Sequence, residues 1–236
     1  MSRPAKRLPM PRSKCKNDRM LYNPPAFRQS ELPDLHAQIA ASGLATLISV
    51  GAQGPIVSNL PVMLDPSVAP YGVIAGHLAR GNPQWRESDL SIPAVAVFMG
   101  ADAYVSPSWY PAKQEHGKVV PTWNYSMIVA RGRLEIFQDA ESLRAQVEQL
   151  TRRFEERFEK PWNVSDAPED YVQRQLKGIV GIRLHIEAIE GKAKLNQNRS
   201  AEDQAGVVAG LSPSPRGGDR EIADAMKTNL KKLSSN

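Results

Sequence analysis

The stretch AYVSPSWYPAKQEHGKVVPTWNY, residues 103–125, gathers five aromatic residues and three prolines into a short segment. Aromatic residues interleaved with proline and small polar residues are poor helix formers. Two interpretations stay open for such a segment. It can be a strand pair with aromatic cross-strand packing, or it can form the rigid walls of a planar-ligand pocket or of a subunit interface.

Short apolar segments flank this stretch on both sides, and turn-rich sequence separates them. A helix is predicted over 31–42, capped by Ser30, and a longer amphipathic helix over 139–158. The segments predicted as strands are 44–50, 56–64, 71–79, 93–100, 122–137 (kinked near Gly132) and 178–195. Closely spaced apolar strands with few helices between them are typical of a small antiparallel barrel, a mostly β fold with flanking helices (α+β).

The positive charge of the chain is concentrated at its N-terminus. Residues 1–20 carry seven basic side chains against Asp18 alone, a net +6, so the remaining chain sums to −1 within the total of +5. A nearly neutral body argues against an extended nucleic-acid-binding face. Cys15 is the single cysteine, which excludes an internal disulfide and fits a reducing, cytoplasmic compartment. No apolar run approaches the roughly 18 residues of a membrane span.

Composition divides the chain into three parts. Residues 1–19 combine basic residues with prolines and show no apolar periodicity, which predicts a disordered basic extension. Residues 20–211 hold all the predicted strands and form one domain. Residues 212–236 begin with a Ser/Pro/Gly-rich linker and continue as a basic amphipathic helix.

Two polar clusters are candidates for ligand binding. GHLARGNP, residues 76–83, ends a strand with imidazole, guanidinium and amide donors, which suits an anion such as phosphate. A capped strand–helix junction explains it equally well. The second cluster, residues 192–199, holds two lysines, Gln197, Asn198 and Arg199 just past the last strand, and would otherwise be a solvated loop. The familiar Gly-rich phosphate loops, GxSxG and HExxH are absent, so no catalytic or metal-ligating residue is predicted.

Five segments carry a resemblance to a known family: MLYNPPAF (20–27), GHLARGNPQW (76–85), FMGADAYVSPSWY (98–110), VPTWNY (120–125) and QLKGIVGIRLHIEAIEGKAKLNQNRS (175–200). In this order they resemble the PaiB family of FMN-binding split-barrel proteins, which are often labelled negative transcriptional regulators. The resemblance implies a six-stranded antiparallel split barrel and a homodimer with FMN at the subunit interface. The family's usual histidine before Leu-Pro is here Asn59.

The matching motifs also imply a set of FMN-binding residues. The phosphate and ribityl chain would meet His77, Arg80 and Asn82. The second strand would contact the flavin ring or phosphate through Ser58, Asn59 and Leu60. The remaining contacts, across the interface, would come from Trp109, Thr122, Trp123, Lys194, Gln197 and Asn198. Tyr104 is expected in the barrel core.

Two functions of different classes follow from the resemblance. The first is an FMN-binding negative transcriptional regulator that acts on DNA directly or through a regulatory protein partner. If DNA is bound directly, the basic tails would have to carry the contact. The alternative is an FMN-dependent oxidoreductase, whose redox chemistry belongs to the cofactor. Fold-level analogy does not choose between the two.

Overall fold

The computed structural model describes residues 20–234, with side chains as far as Lys231; the predicted basic extension 1–19 lies outside the described residues. The chain folds into an antiparallel sheet with helices packed on its outside. The strands are β1 (Arg28–Gln29), β2 (Leu44–Gly51), β3 (Gly54–Asp65), β4 (Val73–Ala79), β5 (Ala94–Val105), β6 (Thr122–Phe137) and β7 (Ile179–Lys194).

Six of these strands close into a ring. Their order is β7-β4-β3-β2-β5-β6, and β6 pairs again with β7, so the sheet has no open edge along this pairing. The two-residue β1 lies outside the ring and pairs with β7. The six-stranded antiparallel barrel predicted from the sequence is therefore confirmed. Closure satisfies the backbone groups that an edge strand would leave unpaired.

The barrel interior follows from the two-residue period of its strands. Leu60 and Val62 of β3 and Ile182, Leu184 and Ile186 of β7 point inward and are almost fully buried. The kink expected in β6 occurs as a register shift between Arg131 and Gly132. A Cβ atom at Gly132 would lie 1.8 Å from the carbonyl oxygen of His185, so the two long strands can cross here only with glycine.

Helices cover the barrel from two sides. The helices are α1 (Leu32–Ser42), α2 (Gln84–Glu87), α3 (Ala112–His116), α4 (Ala140–Glu155), α5 (Glu169–Lys177), α6 (Ala201–Leu211) and α7 (Gly217–Ser234). One group, α4 and α5, packs against Phe137 at the end of β6, and the other, α6 and α7, packs against the ends of β5 and β7. Ser200 caps α6 as a hydrogen-bond acceptor, whereas Ser30 does not cap α1, whose N-cap is Glu31.

The C-terminal helix α7 docks onto the rest of the molecule. Its residues Ile222, Ala223 and Met226 are buried in a second hydrophobic cluster with α6 and β5. Arg216, just before α7, pairs with Asp102 and Asp219 and holds the start of the helix against β5. The domain boundary after residue 211 stays a prediction, since a linker and a helix are present but the helix shares the core of the preceding domain.

The aromatic stretch at residues 103–125 contributes the end of β5, a loop and the start of β6. Tyr104 and Trp123 are directly opposite each other and meet edge to face, with ring centroids 5.8 Å apart. Both rings are about half exposed. The expectation that Tyr104 lies in the core is wrong, because the inward positions of β5 here are Ala103 and Val105 and the two-residue period turns Tyr104 outward.

Candidate functional site

One group of predicted residues gathers where β3 and β4 meet α2. The Asn82 side-chain amide donates to Ser58 Oγ at 2.8 Å, and Asn82 Oδ1 accepts from the backbone N–H of Gln84. Asn82 therefore fixes the turn between β4 and α2 and joins it to β3. On the outer face of β3, Asn59 Oδ1 accepts from Thr46 Oγ1 at 2.7 Å. We call Ser58, Asn59, His77, Arg80 and Asn82 the first half-site.

His77 is the partly buried imidazole of the first half-site. It points away from the barrel interior, between the inward-facing Gly76 and Leu78 of β4. Its Nδ1 atom is buried without a hydrogen-bond partner among the described residues. Burial lowers the pKa of His77, because the charged imidazolium loses solvation. The ring is thus held neutral, with a polar nitrogen left for a ligand or a water molecule.

Arg80 ties three chain segments together at the end of β4. Its Nε donates to the carbonyl of Lys177 at 2.6 Å, its Nη1 to Gln138 Oε1 at 2.8 Å, and its Nη2 to the carbonyl of Ile179 at 3.0 Å. A guanidinium carries five N–H donors. Two N–H donors remain beyond these three bonds, so Arg80 can contact a phosphate while it holds the three chain segments together.

A second group of predicted residues lies where β6 begins and β7 ends. Lys194 Nζ donates to Thr122 Oγ1 at 2.6 Å and to the backbone carbonyl of Trp123. Burial and the nearby charge of Lys192 both lower the pKa of Lys194. Gln197 folds back to accept from the N–H of Leu195 and donate to the carbonyl of Ala193. We define the second half-site by five residues: Thr122, Trp123, Lys194, Gln197 and the exposed Asn198.

The cluster after β7 is an ordered structure with specific partners. Lys192 is buried, donates to the carbonyl of Tyr22, and lies 5.2 Å from the ring centroid of Tyr125. The Arg199 guanidinium lies 5.2 Å from the Tyr110 ring centroid, and Asn196 donates to the Tyr110 hydroxyl. The alternative of a solvated loop therefore does not hold for most of this segment.

Two predicted residues are placed mainly by packing. The Trp109 indole covers α6 at Gly210, where a Cβ atom would come within 2.4 Å of the ring, and its carbonyl approaches Gly206. Leu60 points into the barrel core with 2% of its surface exposed, so it can offer a ligand only its backbone.

The two half-sites lie at opposite ends of β7. His77 pairs with Gly181 near the start of this strand, and Lys194 is its last residue. At about 3.3 Å per residue, the strand contour between those two points is about 43 Å. Four clefts of about 230–600 Å³ lie among the described residues, and none of the residues that line them belongs to either half-site. A single chain thus presents two separate donor-rich surfaces.

The sequence did not predict a role for Gln84, which supports the first half-site through hydrogen bonds to the neighbouring strands. It is fully buried, and its amide nitrogen donates to Ser49 Oγ, to the carbonyl of Ile56 and, at 3.3 Å, to the carbonyl of Leu47. The Asn-Pro-Gln order after β4 gave a local signal, since Asn82 caps the turn. Nothing in the sequence indicated that Gln84 reaches β2 and β3. Among the described residues, no group of three or more side chains is arranged to hold a metal ion.

Comparison with known proteins identifies the family. A family model described as "Putative FMN-binding domain" matches residues 21–188. Protease synthase and sporulation protein PAI 2 of Bacillus subtilis is 28% identical over 212 residues, which cover 90% of this chain and 99% of that protein. An uncharacterized protein of Emericella nidulans is 35% identical over 183 residues, covering 66% of this chain and 72% of the relative.

Solved structures confirm the fold. The FAD and heme binding protein from Mycobacterium smegmatis aligns with a TM-score of 0.52 at 16% identity, over 75% of this chain and 78% of that one. A conserved hypothetical protein from Mycobacterium tuberculosis aligns with a TM-score of 0.53 at 13% identity, over 75% and 92% of the two chains. At these identities the likeness concerns the barrel alone. The family match and the relatives together show that this chain belongs to the PaiB family of FMN-binding split-barrel proteins, with FMN as its cofactor.

Proposed function

We propose that the chain is a homodimeric FMN-binding regulator, a negative regulator of transcription that holds each flavin between the first half-site of one protomer and the second half-site of its partner. The observation that carries this proposal is the placement of the two donor-rich half-sites at opposite ends of β7. In a two-fold dimer each half-site of one chain can face the other half-site of its partner. A cytoplasmic setting belongs to the proposal and is supported by the single cysteine.

An apolar outer face supports the dimer. Leu44 on β2, Val57 on β3 and Met99 on β5 point out of the barrel with 56%, 57% and 56% of their surfaces exposed. These three strands are neighbours in the ring, so the three side chains project from one outer face, with Val57 opposite Ile48, four residues along β2 from Leu44. Exposed aliphatic patches of this kind mark association surfaces in soluble proteins. Asn59 of the first half-site projects from the same face of β3.

The side chains fit the chemistry of FMN. The first half-site offers amide, hydroxyl and guanidinium donors together with the unpaired Nδ1 of His77, which suits a phosphate and its ribityl hydroxyls. The second half-site offers the ammonium of Lys194, which has the charge of Lys192 near it, and the half-exposed indole of Trp123. A cation suits an electron-rich ligand atom, and an indole suits a planar ring. When bound, FMN supplies electron-transfer or hydride chemistry.

Flavin titration of paired variants tests the shared site. Asn82→Ala in the first half-site and Lys194→Ala in the second should each weaken FMN binding about tenfold or more, since each removes a charged or amide hydrogen bond. Flavin fluorescence quenching measures this affinity. Gln175→Ala, at an exposed position of α5, serves as a control that should leave the affinity unchanged. Loss of binding in Asn82→Ala with full binding in Lys194→Ala would show that one chain holds the flavin alone.

The dimer has its own test. Val57→Glu places a charge in the apolar face and should convert the dimer to monomer in light scattering coupled to size exclusion. Val68→Glu is the matched control, because Val68 is also exposed but follows the end of β3 that is far from Val57. A Val57→Glu protein that keeps the mass of the wild type would count against this interface.

The regulatory role is supported by the Bacillus subtilis relative, whose name refers to protease synthesis and sporulation, both of which depend on gene expression. Binding of the purified protein to promoter DNA from its own genome tests this role. A chain lacking residues 1–19 should lose that binding if the basic extension carries it. Binding with an unchanged salt dependence would assign the contact to the folded domain.

An FMN-dependent oxidoreductase is the second candidate function. The observation that favours it is a cleft of about 580 Å³ on the outer face of β4, where Ala75 lines the cleft two residues from His77. A second small molecule could therefore bind beside a flavin held at the first half-site. Bleaching of bound FMN by NADH or NADPH under anaerobic conditions would support the enzyme. A flavin that stays oxidised with both donors would favour the regulator.

A further inference from the structure

The cleft between α4 and the outer face of β4 has the features of a small-molecule site of its own. Its floor is formed by Met63, Val73 and Ala75 on β3 and β4, and α4 forms one wall. The volume of about 580 Å³ lies within the usual range for small-molecule pockets. Its lining residues are distinct from those of both half-sites, so a ligand in this cleft does not depend on how FMN is held.

Gln146 of α4 lines this cleft and is 6% exposed. Neither its Nε2 nor its Oε1 atom has a hydrogen-bond partner among the described residues. A buried amide with both ends unpaired is costly, and native proteins satisfy such groups with a ligand or with ordered water. The amide carries one donor and one acceptor side by side, and because both atoms are covered in this conformation, they reach the cleft only when the side chain turns toward it.

Arg183 of β7 gives the cleft a flat, fixed surface. Its guanidinium carbon lies 4.0 Å from the Phe137 ring centroid, and its Nη1 donates to Glu135 Oε1 at 2.8 Å. Both residues, Arg183 and Phe137, line the cleft. A guanidinium held flat in this way is a surface on which a planar ring can stack.

Ionised carboxylates outnumber permanent cations around the cleft, which argues against an anionic ligand. Glu135 binds Arg183 and also His185 Nε2 at 2.6 Å, and these hydrogen bonds lower the pKa of its carboxyl. Asp65 also lines the cleft, and its two hydrogen bonds from Ser67 lower its pKa. Two ionised carboxylates thus stand against the one permanent cation of Arg183.

We propose that this cleft binds a neutral, planar molecule that carries a hydrogen-bond donor and acceptor side by side. The Gln146 side chain turns toward the cleft, and its amide pairs with that edge in a two-bond contact, as glutamine does with adenine. The ring of the ligand stacks on Arg183, over the apolar floor of Val73 and Ala75. A purine edge and a pyridine carboxamide share this chemistry, and the experiment separates them.

Calorimetric titration of the full chain saturated with FMN tests the site, with adenosine and nicotinamide as probes. At least one of them should bind. The probe with the higher affinity shows whether the cleft prefers a purine edge or a pyridine carboxamide. Nicotinate has nearly the shape of nicotinamide but carries a negative charge, so it should bind about tenfold or more weakly than the neutral amide if nicotinamide is the preferred probe. N6,N6-dimethyladenosine keeps the neutral purine but lacks the N–H donor, so it is the corresponding control for adenosine.

Variants connect binding to this cleft. Gln146→Leu removes both unpaired atoms and should weaken the bound probe about tenfold or more, with thermal stability equal to or above wild type. Ala145→Trp fills the cleft from an exposed position on α4 and should abolish binding. Gln175→Leu makes the same chemical change at an exposed position of α5 and should have no effect. Binding of neither probe at millimolar concentration, or equal affinity in Gln146→Leu and wild type, would overturn the proposal.

Discussion

Replacing Arg80 with alanine should destabilise the FMN-free protein, independently of any role in flavin binding. The Arg80 guanidinium joins the end of β4 to the carbonyls of Lys177 and Ile179 and to the side chain of Gln138. These partners belong to the α5–β7 connection and to the residue after β6. Arg80 therefore fixes three segments at one end of the barrel.

The magnitude follows from those three bonds. A hydrogen bond to a charged group contributes about 1.5–3 kcal/mol when buried, and less when solvent screens it. The bonds to Lys177 and Gln138 are exposed and the bond to Ile179 is partly buried. We therefore expect Arg80→Ala to lower the free energy of unfolding by about 2–4 kcal/mol. Urea denaturation of the FMN-free protein, followed by circular dichroism, measures it.

Arg86 supplies the matched control. Its guanidinium carbon lies 4.3 Å from the Trp85 ring centroid, and the side chain is exposed. Arg86→Ala should cost less than about 1 kcal/mol. If Arg80→Ala costs no more than Arg86→Ala, the three bonds do not hold the barrel end and the reasoning fails.

Arg80→Lys separates the clamp from the phosphate contact. A lysine ammonium keeps the charge but cannot reach three acceptors in the planar arrangement of a guanidinium. The unfolding free energy of Arg80→Lys should therefore fall nearly as far as that of Arg80→Ala, while FMN affinity falls less. Because riboflavin lacks the phosphate, its affinity should change little in either variant. Equal losses for FMN and riboflavin would remove Arg80 from the phosphate site.

Three further predictions concern side chains around the two half-sites. Gly210→Ala should lower the unfolding free energy by about 1–3 kcal/mol, because the new methyl group meets the Trp109 ring, whereas Gly81→Ala, with open space around it, should be nearly neutral in the same urea assay. His77 has a pKa lowered by burial, so the unfolded chain binds a proton that the folded chain resists, and stability should fall as pH drops from about 6.5 through the folded pKa; pH-dependent denaturation should show a shallower fall in His77→Asn. Gln84→Leu leaves two strand carbonyls and a hydroxyl without their donor and should cost about 1–3 kcal/mol, seen as a lower melting temperature, and a melting temperature equal to wild type would contradict the supporting role of this amide.

The barrel was predictable because its strands carry a local signal. Each of the six segments is rich in apolar residues and bounded by turn residues, and residues 122–137 also alternate with a two-residue period. The kink at Gly132 was readable because a glycine interrupts that alternation. The direction of a particular side chain was harder to predict, as Tyr104 shows. A bulge between Met99 and Asp102 shifts the register of β5 just before this residue, and no local pattern marks that shift.

The parts of the site that escaped prediction depend on contacts between distant segments. Trp109 stays a ligand-side prediction, but the packing of its ring on a glycine of α6, about a hundred residues later, had no local signal. Gln84 and Gln146 look like ordinary polar residues until the fold buries them. The docking of α7 could not be predicted for the same reason, since the apolar face of an amphipathic segment does not indicate which surface it packs against.

The separation of the two half-sites along β7 has a consequence for genetics. Under the proposed dimer, a chain defective in Asn82 and a chain defective in Lys194 damage complementary surfaces. A mixed dimer of the two then has one cofactor position assembled from undamaged surfaces and one assembled from both damaged ones. Co-expression of two inactive alleles would thus restore about a quarter of the binding positions when subunits associate at random. Intragenic complementation of this kind is unavailable to a protein whose cofactor rests within a single chain.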